Sequence, residues 1–466
     1  MSLPLKGRPG KIAFSIGNLA GTGFTQLMSA YLVFFLTTMV GLSPWQAGLI
    51  WSFSGVVGVI GNLTIGSLSD RTRTRWGRRR PFIAIGIPTL FVFSILIWAV
   101  PLGGKPVTSQ NLLTIFVYML IAVAFYVIGY NLVDLNTGAL FPEIWEDQKD
   151  RSEVTIYREI LAVVGGIIAM VLFPFLITLY GSTFSAWTWG GAITVTMFCC
   201  CSFISLFGMR ERKEFSLVDK HLPLIASFKA ALTNKTWIAY QGATLMSNCI
   251  IDSISLFSLF FVEISLGLTA VSLSIMMGVY MVVYLPFFLF WRMICTRYGT
   301  KMTLAVSTVA FCVGAMPAIL FGKGILGACI MGLMMGLTLG GLTLARALMW
   351  ADMVDDDEIK TGVRREGMYS GVAAPIGQLD PIVLGLSSAA VLTAIGFVSG
   401  VATSAQRASV GPGIRIAIIG FPVIFSAGLL IFLYFYPLGK KRVEEVGKVI
   451  EKMHVEKAKK LEEMKA

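Results

Sequence analysis

The stretch SLSDRTRTRWGRRRPFIAIG, from Ser67 to Gly86, places six arginines within the ten residues Arg71 to Arg80, directly between two apolar segments. The chain around it has 466 residues, of which 56% are hydrophobic and only 14% charged, and its mean hydropathy is +0.77. This composition is typical of a protein embedded in a membrane and lies outside the usual range of a soluble globular domain. We therefore expect the arginines to form a short turn at a membrane surface.

Twelve apolar runs are long enough to cross a bilayer, which takes about 20 residues of helix. The first follows Lys6, Arg8 and Lys11, is too long for a signal-peptide core and lacks a clear small-residue cleavage site, so we interpret it as an uncleaved helix. The sequence predicts an all-α membrane protein with spans at approximately 12–40, 46–67, 82–101, 112–141, 155–180, 186–208, 238–264, 269–291, 302–321, 325–351, 368–396 and 414–437.

The basic residues predict the orientation of these spans. The formal net charge is +12, and Lys and Arg are concentrated at the N-terminus, in the arginine turn, in the 209–236, 292–301 and 360–365 connections and in the tail. The alternate loops hold only Lys105, Lys323, Arg407 and Arg415. The positive-inside rule then places both termini in the cytoplasm of a multi-pass protein of the cell (cytoplasmic) membrane. Orientation accounts for the charge without a nucleic-acid partner.

The chain divides into two related halves. TRWGRR from Thr74 and TRYGTK from Thr296 each follow the second span of their half, and they lie close to half the chain apart. The long polar connection after the sixth span marks the division. We predict two six-helix bundles around a central cavity, as an N-terminal bundle at 1–208, a central cytoplasmic loop at 209–237, a C-terminal bundle at 238–438 and an amphipathic cytoplasmic tail at 439–466.

The arginine turn resembles the loop motif of the major facilitator superfamily between spans two and three. The matching residues are a glycine, an aspartate and a basic run with a second glycine, namely Gly66, Asp70, Arg71, Gly77 and Arg78. The resemblance implies the major facilitator fold and a gating role for these residues, in which charge contacts between helices break as the transporter changes state. The alternative is that the arginines only fix the orientation of the chain.

Three further segments resemble a narrower family, the glycoside-pentoside-hexuronide:cation symporters. They are SPWQAGLIW at 43–51, GRRRPFIAIG at 77–86, which is especially similar to the sucrose-proton branch, and ADMVDDDEIKTGVRREGMYSG at 351–371, which resembles a cytoplasmic loop of melibiose-permease-like proteins. We interpret Asp352, Asp355 and Arg364 in the last segment as a gating charge cluster. The alternative is a solvated helix end.

Ionisable residues inside spans are expensive and mark candidate sites. Tyr126, Tyr130 and Asp134 recur at four-residue spacing in span four, which places two rings and a carboxylate on one helical face. Rings suit the apolar face of a sugar and a carboxylate accepts its hydroxyls. The resemblance implies that Asp134 and Arg158 bind sugar. We predict Tyr126, Tyr130 and Gln378 as further substrate-binding residues, and Gln378 aligns with a lysine of sodium-coupled relatives. The alternative is that Asp134 serves only as a structural partner of Arg158.

The acidic residues within the spans indicate which ion is coupled to transport. Melibiose-type sodium symporters carry two aspartates in span two and an acidic position in span one, where this chain has Gly58, Asn62 and Thr22. Sodium prefers hard, anionic oxygen ligands, so we favour a proton. The candidate proton carriers are Asp252, Asp380 and Asp134, because burial raises the proton affinity of a carboxylate. The alternative for Asp252 and Asp380 is a packing role.

These features predict a secondary active transporter that moves a glycoside or small sugar with a proton by alternating access. The alternative is an uncoupled facilitator or an amphiphile or lysolipid carrier of the same fold. A membrane enzyme is disfavoured, since both histidines, His221 and His454, fall outside the spans and the seven cysteines show no metal spacing. We expect no enzyme activity, cofactor or metal, and a monomer whose partners are the sugar, a coupling cation and membrane lipid.

Overall fold

The computed structural model describes residues 7–74, 76–101, 110–145, 148–209, 224–317, 322–363 and 365–463. The described chain is predominantly helical, as predicted, and its one isolated β-bridge joins Thr74 and Gly77 within the arginine turn. Among the described residues, eleven helices are long and apolar enough to cross a membrane. The ninth predicted span contains a shorter helix of 15 residues, Thr300–Gly314, and its predicted end at 318–321 lies outside the described residues.

We number the membrane helices by span. In the first half they are α1 Gly7–Phe34, α2 Pro44–Arg71, α3 Arg80–Trp98, α4 Leu112–Ile144, α5 Gln148–Ile167 and α6 Phe184–Ser205. In the second half they are α7 Lys235–Phe260, α8 Val271–Tyr298, α9 Thr300–Gly314, α10 Gly324–Thr361, α11, which consists of Glu366–Gly377 and Leu379–Ala394, and α12 Val410–Phe435. Three of these spans continue beyond the α-helix: α1 by a π-helix Phe35–Val40, α5 by a π-helix Ile168–Leu172 and the helix Phe173–Leu179, and α7 by a π-helix Phe261–Ser265. A helix Leu224–Thr233 precedes α7, and a tail helix spans Lys440–Glu463.

Local sequence fixes the boundary between α1 and α2. Gly41 ends the first span with a φ of +88°, a conformation that suits glycine because it has no Cβ. Ser43 then caps α2: its hydroxyl accepts from the backbone N–H of Gln46, and the Gln46 side chain accepts from the Ser43 N–H. Pro44 occupies the first helical turn, where its missing N–H costs nothing. The chain therefore reverses direction within a few residues.

Helices of each predicted half pack on one another. In the first half α1 lies against α5 and α6, and α3 against α4 and α6; in the second half α7 lies against α12, and α8 against α10. The tail helix packs on α10 and buries Val446 and Ile450. The limits of the two halves stay a prediction from the sequence.

The two halves meet at the far side of the molecule, the end where α1 stops and α2 starts, opposite the two chain termini. Three pairs of helices contact each other across the two halves, and we call these contacts seams: α2 with α11, α5 with α8 and α1 with α7. The Ser274 hydroxyl on α8 donates to the Val171 carbonyl at 2.9 Å, and the rings of Phe34 and Phe260 lie 4.9 Å apart. The Gly400 N–H donates to the Thr37 carbonyl at 3.0 Å. These contacts close the far side.

Glycine allows α2 and α11 to approach closely. A Cβ on Gly48 would lie 2.3 Å from the Gly385 carbonyl oxygen, and a Cβ on Gly385 would lie 2.3 Å from the Ser52 hydroxyl oxygen. Ser52 itself donates to the Ile382 carbonyl at 3.1 Å. Small residues at helix crossings in a membrane bring backbones into contact, which supplies packing energy that lipid cannot.

Candidate functional site

A cavity of about 110 Å³ with a mixed polar and apolar lining lies in the first half. Helices α1, α3, α4, α5 and α6 supply its wall, and the residues with sugar-binding chemistry are Asn18, Thr22, Tyr130, Asp134 and Arg158. The volume is below the roughly 300 Å³ at which ligand pockets usually begin. The cavity is therefore smaller than a typical ligand pocket.

Asp134 and Arg158 face this cavity without forming an ion pair. The Asp134 side chain is exposed to the cavity, and the Nε–H of Arg158 donates to Oδ1 of Asn18 at 3.0 Å. The Arg158 guanidinium also lies 4.6 Å from the centre of the Phe141 ring. Arg158 is close enough to act on the Asp134 carboxylate electrostatically, yet no guanidinium nitrogen lies within 4 Å of a carboxylate oxygen. Opposite charges therefore line one cavity with their hydrogen-bonding atoms available.

The two tyrosines predicted beside Asp134 have different positions. Tyr130 lines the cavity, whereas Tyr126 is 6% exposed and lies behind it. The Tyr126 hydroxyl donates to the Phe24 carbonyl at 3.2 Å, and its ring stacks on Tyr130 with centroids 6.5 Å apart. Tyr126 therefore supports the Tyr130 ring in this conformation and does not itself line the cavity.

Gln378 lies at the seam between α2 and α11, outside the cavity wall. It occupies the break between the two segments of α11, and a Cβ on Gly58 would come within 2.3 Å of its side-chain oxygen. Asn131 on α4 donates from Nδ2 to the Gly58 carbonyl at 3.4 Å. The place where sodium-coupled relatives are expected to carry an aspartate is thus filled by the Gln378 amide.

A second polar cluster lies in the other half. The guanidinium of Arg346 on α10 donates to the amide oxygen of Asn248 on α7, and Arg346 interacts electrostatically with Asp252. Asp252 lies beside Asp380, so the structure brings these two predicted carboxylates together. Arg346 and Asn248 were not identified from the sequence, although an arginine within an apolar span is a signal that could have found Arg346.

The described gating residues form contacts within their own half. Arg78 pairs with Glu143 at the end of α4 at 2.6 Å, and Gly77 adopts a φ of +110° in the arginine turn. A Cβ on Gly66 would meet nothing within 4 Å, so the close approach expected there is not made in this conformation. The side chains of Asp70 and Arg71 lie outside the described part of the chain.

The acidic end of α10 likewise bonds within the second half. Asp352 accepts from the Thr300 hydroxyl at 3.0 Å, Asp355 is partly buried, and Arg364 lies outside the described residues. The Asp357 carboxylate accepts two bonds from Arg365, at 2.6 and 2.9 Å, and this pairing raises the pKa of Arg365. The pairing of Asp357 with Arg365 was not predicted, although both residues lie in the charged segment 351–371.

Comparison with solved structures identifies the class of fold. The nucleoside transporter NupG matches with a TM-score of 0.65 at 14% identity, over 93% of this chain and 100% of that one. A D-xylose-proton symporter matches with a TM-score of 0.63 at 13% identity, over 92% of this chain and 96% of that one. The fold is that of the major facilitator transporters, with two six-helix bundles around a central cavity, as the sequence predicted.

A family model described as "MFS/sugar transport protein" matches residues 13–440, and this chain belongs to that family. The isoprimeverose transporter of Lactiplantibacillus pentosus is 25% identical over 92% of this chain and 88% of its own length. The Escherichia coli glucuronide carrier protein homolog is 24% identical over 93% of each chain, and the putative sulfoquinovose importer of the same organism is 25% identical over 94% and 93%. Membership in the glycoside-pentoside-hexuronide symporter family is thereby confirmed.

Proposed function

We propose that this protein is a secondary active transporter that moves a glycoside or another small sugar together with a proton. The observation that carries the proposal is the single cavity faced by the Asp134 carboxylate, the Arg158 guanidinium and the Tyr130 ring. The names of the related proteins support a carbohydrate substrate, since they specify isoprimeverose, a glucuronide and sulfoquinovose.

The chemistry of the three residues fits a sugar. An ionised carboxylate only accepts hydrogen bonds and can hold two hydroxyl groups, while the guanidinium donates from a planar fork. An aromatic ring offers its face to the C–H groups on one side of a pyranose. Because Asp134 and Arg158 do not bond to each other, a sugar can bridge them without first breaking an ion pair. This absence of an ion pair favours the binding role of Asp134 over a purely structural one.

A proton is the favoured coupling ion. The positions that would supply anionic ligands for sodium hold Gly58, Asn62 and Thr22, and Gly58 is packed against Gln378. Sodium sites depend on several oxygen ligands, preferably charged, whereas a proton needs one buried carboxyl group. Three carboxyl groups within the spans remain as candidates, on Asp134, Asp252 and Asp380.

The closed far side supports an orientation and a transport cycle. With both termini in the cytoplasm of the cell membrane, as the basic loops predict, the contacts at Phe34 and Phe260 would seal the external side and the cavity would face inward. Opening these seams while the opposite ends of the bundles meet would give alternating access. Since one chain supplies both bundles, we propose that a monomer, surrounded by membrane lipid, is the functional unit.

Uptake into proteoliposomes tests this function. Purified protein is reconstituted, and radiolabelled isoprimeverose, methyl glucuronide, sulfoquinovose and sucrose are supplied with an inward proton gradient or an inward sodium gradient at constant ionic strength. We expect accumulation of at least one sugar with the proton gradient and no response to sodium. Protein-free vesicles and the Asp134→Asn variant serve as controls. A saturable sodium requirement would refute proton coupling, and uptake of lysolipid without any sugar uptake would refute the sugar substrate.

A further inference from the structure

Two carboxyl groups meet inside the second half, away from the sugar cavity. Asp252 lies on α7, and Asp380 lies in the first turn of α11 after its break at Gln378. Asp380 is 5% exposed, and its Oδ1 is buried with no hydrogen-bond donor among the described residues. A buried carboxylate oxygen without a donor is costly, and more so within a membrane.

A proton between the two groups removes this cost. The carboxyl groups of Asp252 and Asp380 lie within hydrogen-bonding reach of each other. Two ionised carboxylates only accept and repel each other, so they can share a hydrogen bond only if one of them carries a proton that it donates to the other. A pair of carboxyl groups that shares a hydrogen bond therefore carries one proton.

The groups around the pair include one cation, Arg346, which lies near both Asn248 and Asp252. Cys249 on α7 lies beside Asp380, and Arg346 on α10 acts electrostatically on Asp252. The Arg346 guanidinium is bonded to the Asn248 amide, while its buried Nε has no partner among the described residues. No titratable group of α1 or α12 in the described part of the chain acts on the pair. Arg346 can therefore leave a neutral amide for Asp252 once that carboxylate is fully charged.

We propose that the Asp252–Asp380 pair is the site that binds the coupling proton, and that Arg346 moves from Asn248 to Asp252 when the proton leaves. This inference rests on the proposed function. The proton enters while the far side is open, is held between the two carboxyl groups, and passes to water once the cavity opens toward the termini. Arg346 then compensates the second negative charge, and no electron transfer is involved. Sugar and proton would thus occupy different halves of the protein.

Infrared spectroscopy of the purified full-length protein tests the site without any sugar. Protonated carboxyl groups absorb apart from carboxylates, so the wild-type protein should show this band and lose it as pH rises. Asp380→Asn should remove the contribution of the pair to the titrating band, Asp252→Asn should change the pH at which that contribution disappears, and Asp380→Glu should retain it. Asp134→Asn, which deletes a carboxyl group from the sugar cavity, should leave the band in place. A band that persists unchanged in both Asp252→Asn and Asp380→Asn would overturn the proposal.

Transport supplies an independent readout. With the sugar that the wild-type protein accumulates in the panel above, Asp380→Asn and Asp252→Asn should lose accumulation driven by the proton gradient but keep exchange of labelled for unlabelled sugar. Exchange requires no net proton movement, so its retention excludes simple misfolding. Unimpaired proton-driven accumulation in both variants would refute the site. If the wild-type protein carries no sugar in the panel, the proposed function fails, whereas the infrared result still decides whether the pair holds a titrating proton.

Discussion

Arg158 on α5 is bonded to Asn18 on α1, with 3.0 Å between the guanidinium Nε and the amide oxygen, and not to the Asp134 carboxylate that shares its cavity. The amide holds the arginine without neutralising it. The flat face of the same guanidinium lies over Phe141 at 4.6 Å, so its position is fixed from two directions. A substrate entering this cavity therefore meets a separated anion and cation, each with hydrogen-bonding capacity left.

Asp134→Asn should weaken sugar binding. The amide keeps the shape of the side chain but replaces one carboxylate oxygen, which accepts hydrogen bonds, by an NH₂ group, which donates them. One hydrogen bond to a sugar hydroxyl is then mismatched. We expect a loss of about 1.5–3 kcal/mol, roughly ten- to a hundredfold in affinity. Calorimetry on monodisperse protein measures it. Tyr130→Phe keeps the ring and should cost less, and an unchanged affinity in Asp134→Asn would exclude Asp134 from the sugar site.

Asn18→Ala should weaken sugar binding through Arg158. Without the amide oxygen the guanidinium keeps its contact with Phe141 but loses its hydrogen bond, at a cost of about 1 kcal/mol. Arg158→Lys keeps the charge and loses the planar fork, so it should cost more than Asn18→Ala. The same calorimetric titration compares the two variants. Wild-type affinity in Asn18→Ala would show that Asn18 does not position the arginine.

Gly48→Ala and Gly385→Ala should each force α2 and α11 apart on the far side. The added Cβ would lie 2.3 Å from the Gly385 carbonyl oxygen in the first variant and 2.3 Å from the Ser52 hydroxyl in the second. Spin labels at Trp45→Cys and Thr393→Cys, both exposed, should report a longer distance between these helices.

Gly66→Ala is the matched control for this measurement, because a Cβ there meets nothing within 4 Å. Its label distance should equal that of the protein with native glycines. If Gly48→Ala and Gly385→Ala also left the distance unchanged, the close contact between α2 and α11 would not be what closes the far side.

Arg78→Ala should destabilise the first half. The side chains of Arg78 and Glu143 are 6% and 13% exposed and lie 2.6 Å apart, so the truncation leaves a buried carboxylate short of a donor. Arg79 remains 3.4 Å from Glu143, which moderates the effect to about 1–3 kcal/mol in the free energy of unfolding. Thermal unfolding in detergent measures it. Arg73→Ala, at an exposed position of the same turn, should change stability by only about 0.5 kcal/mol, and equal effects of the two would refute a special role for Arg78.

The sequence by itself determined the membrane location, the approximate positions of the helices and the stripe that carries Tyr130 and Asp134. These properties depend on composition and on helical periodicity, which are local. An apolar run of about 20 residues is a span whatever it packs against, and a four-residue spacing places side chains on one face of any helix.

The tertiary structure decided which of these side chains meet. Periodicity could not place Tyr126 behind Tyr130, since that depends on the approach of Phe24 from α1. It could not bring Asp252 to Asp380 or give Arg346 its Asn248 partner, because these contacts join helices that are distant in sequence. Contacts between helices are set by shape and by small residues at crossings, such as Gly58 beneath Gln378, and such complementarity arises only when the whole chain has packed.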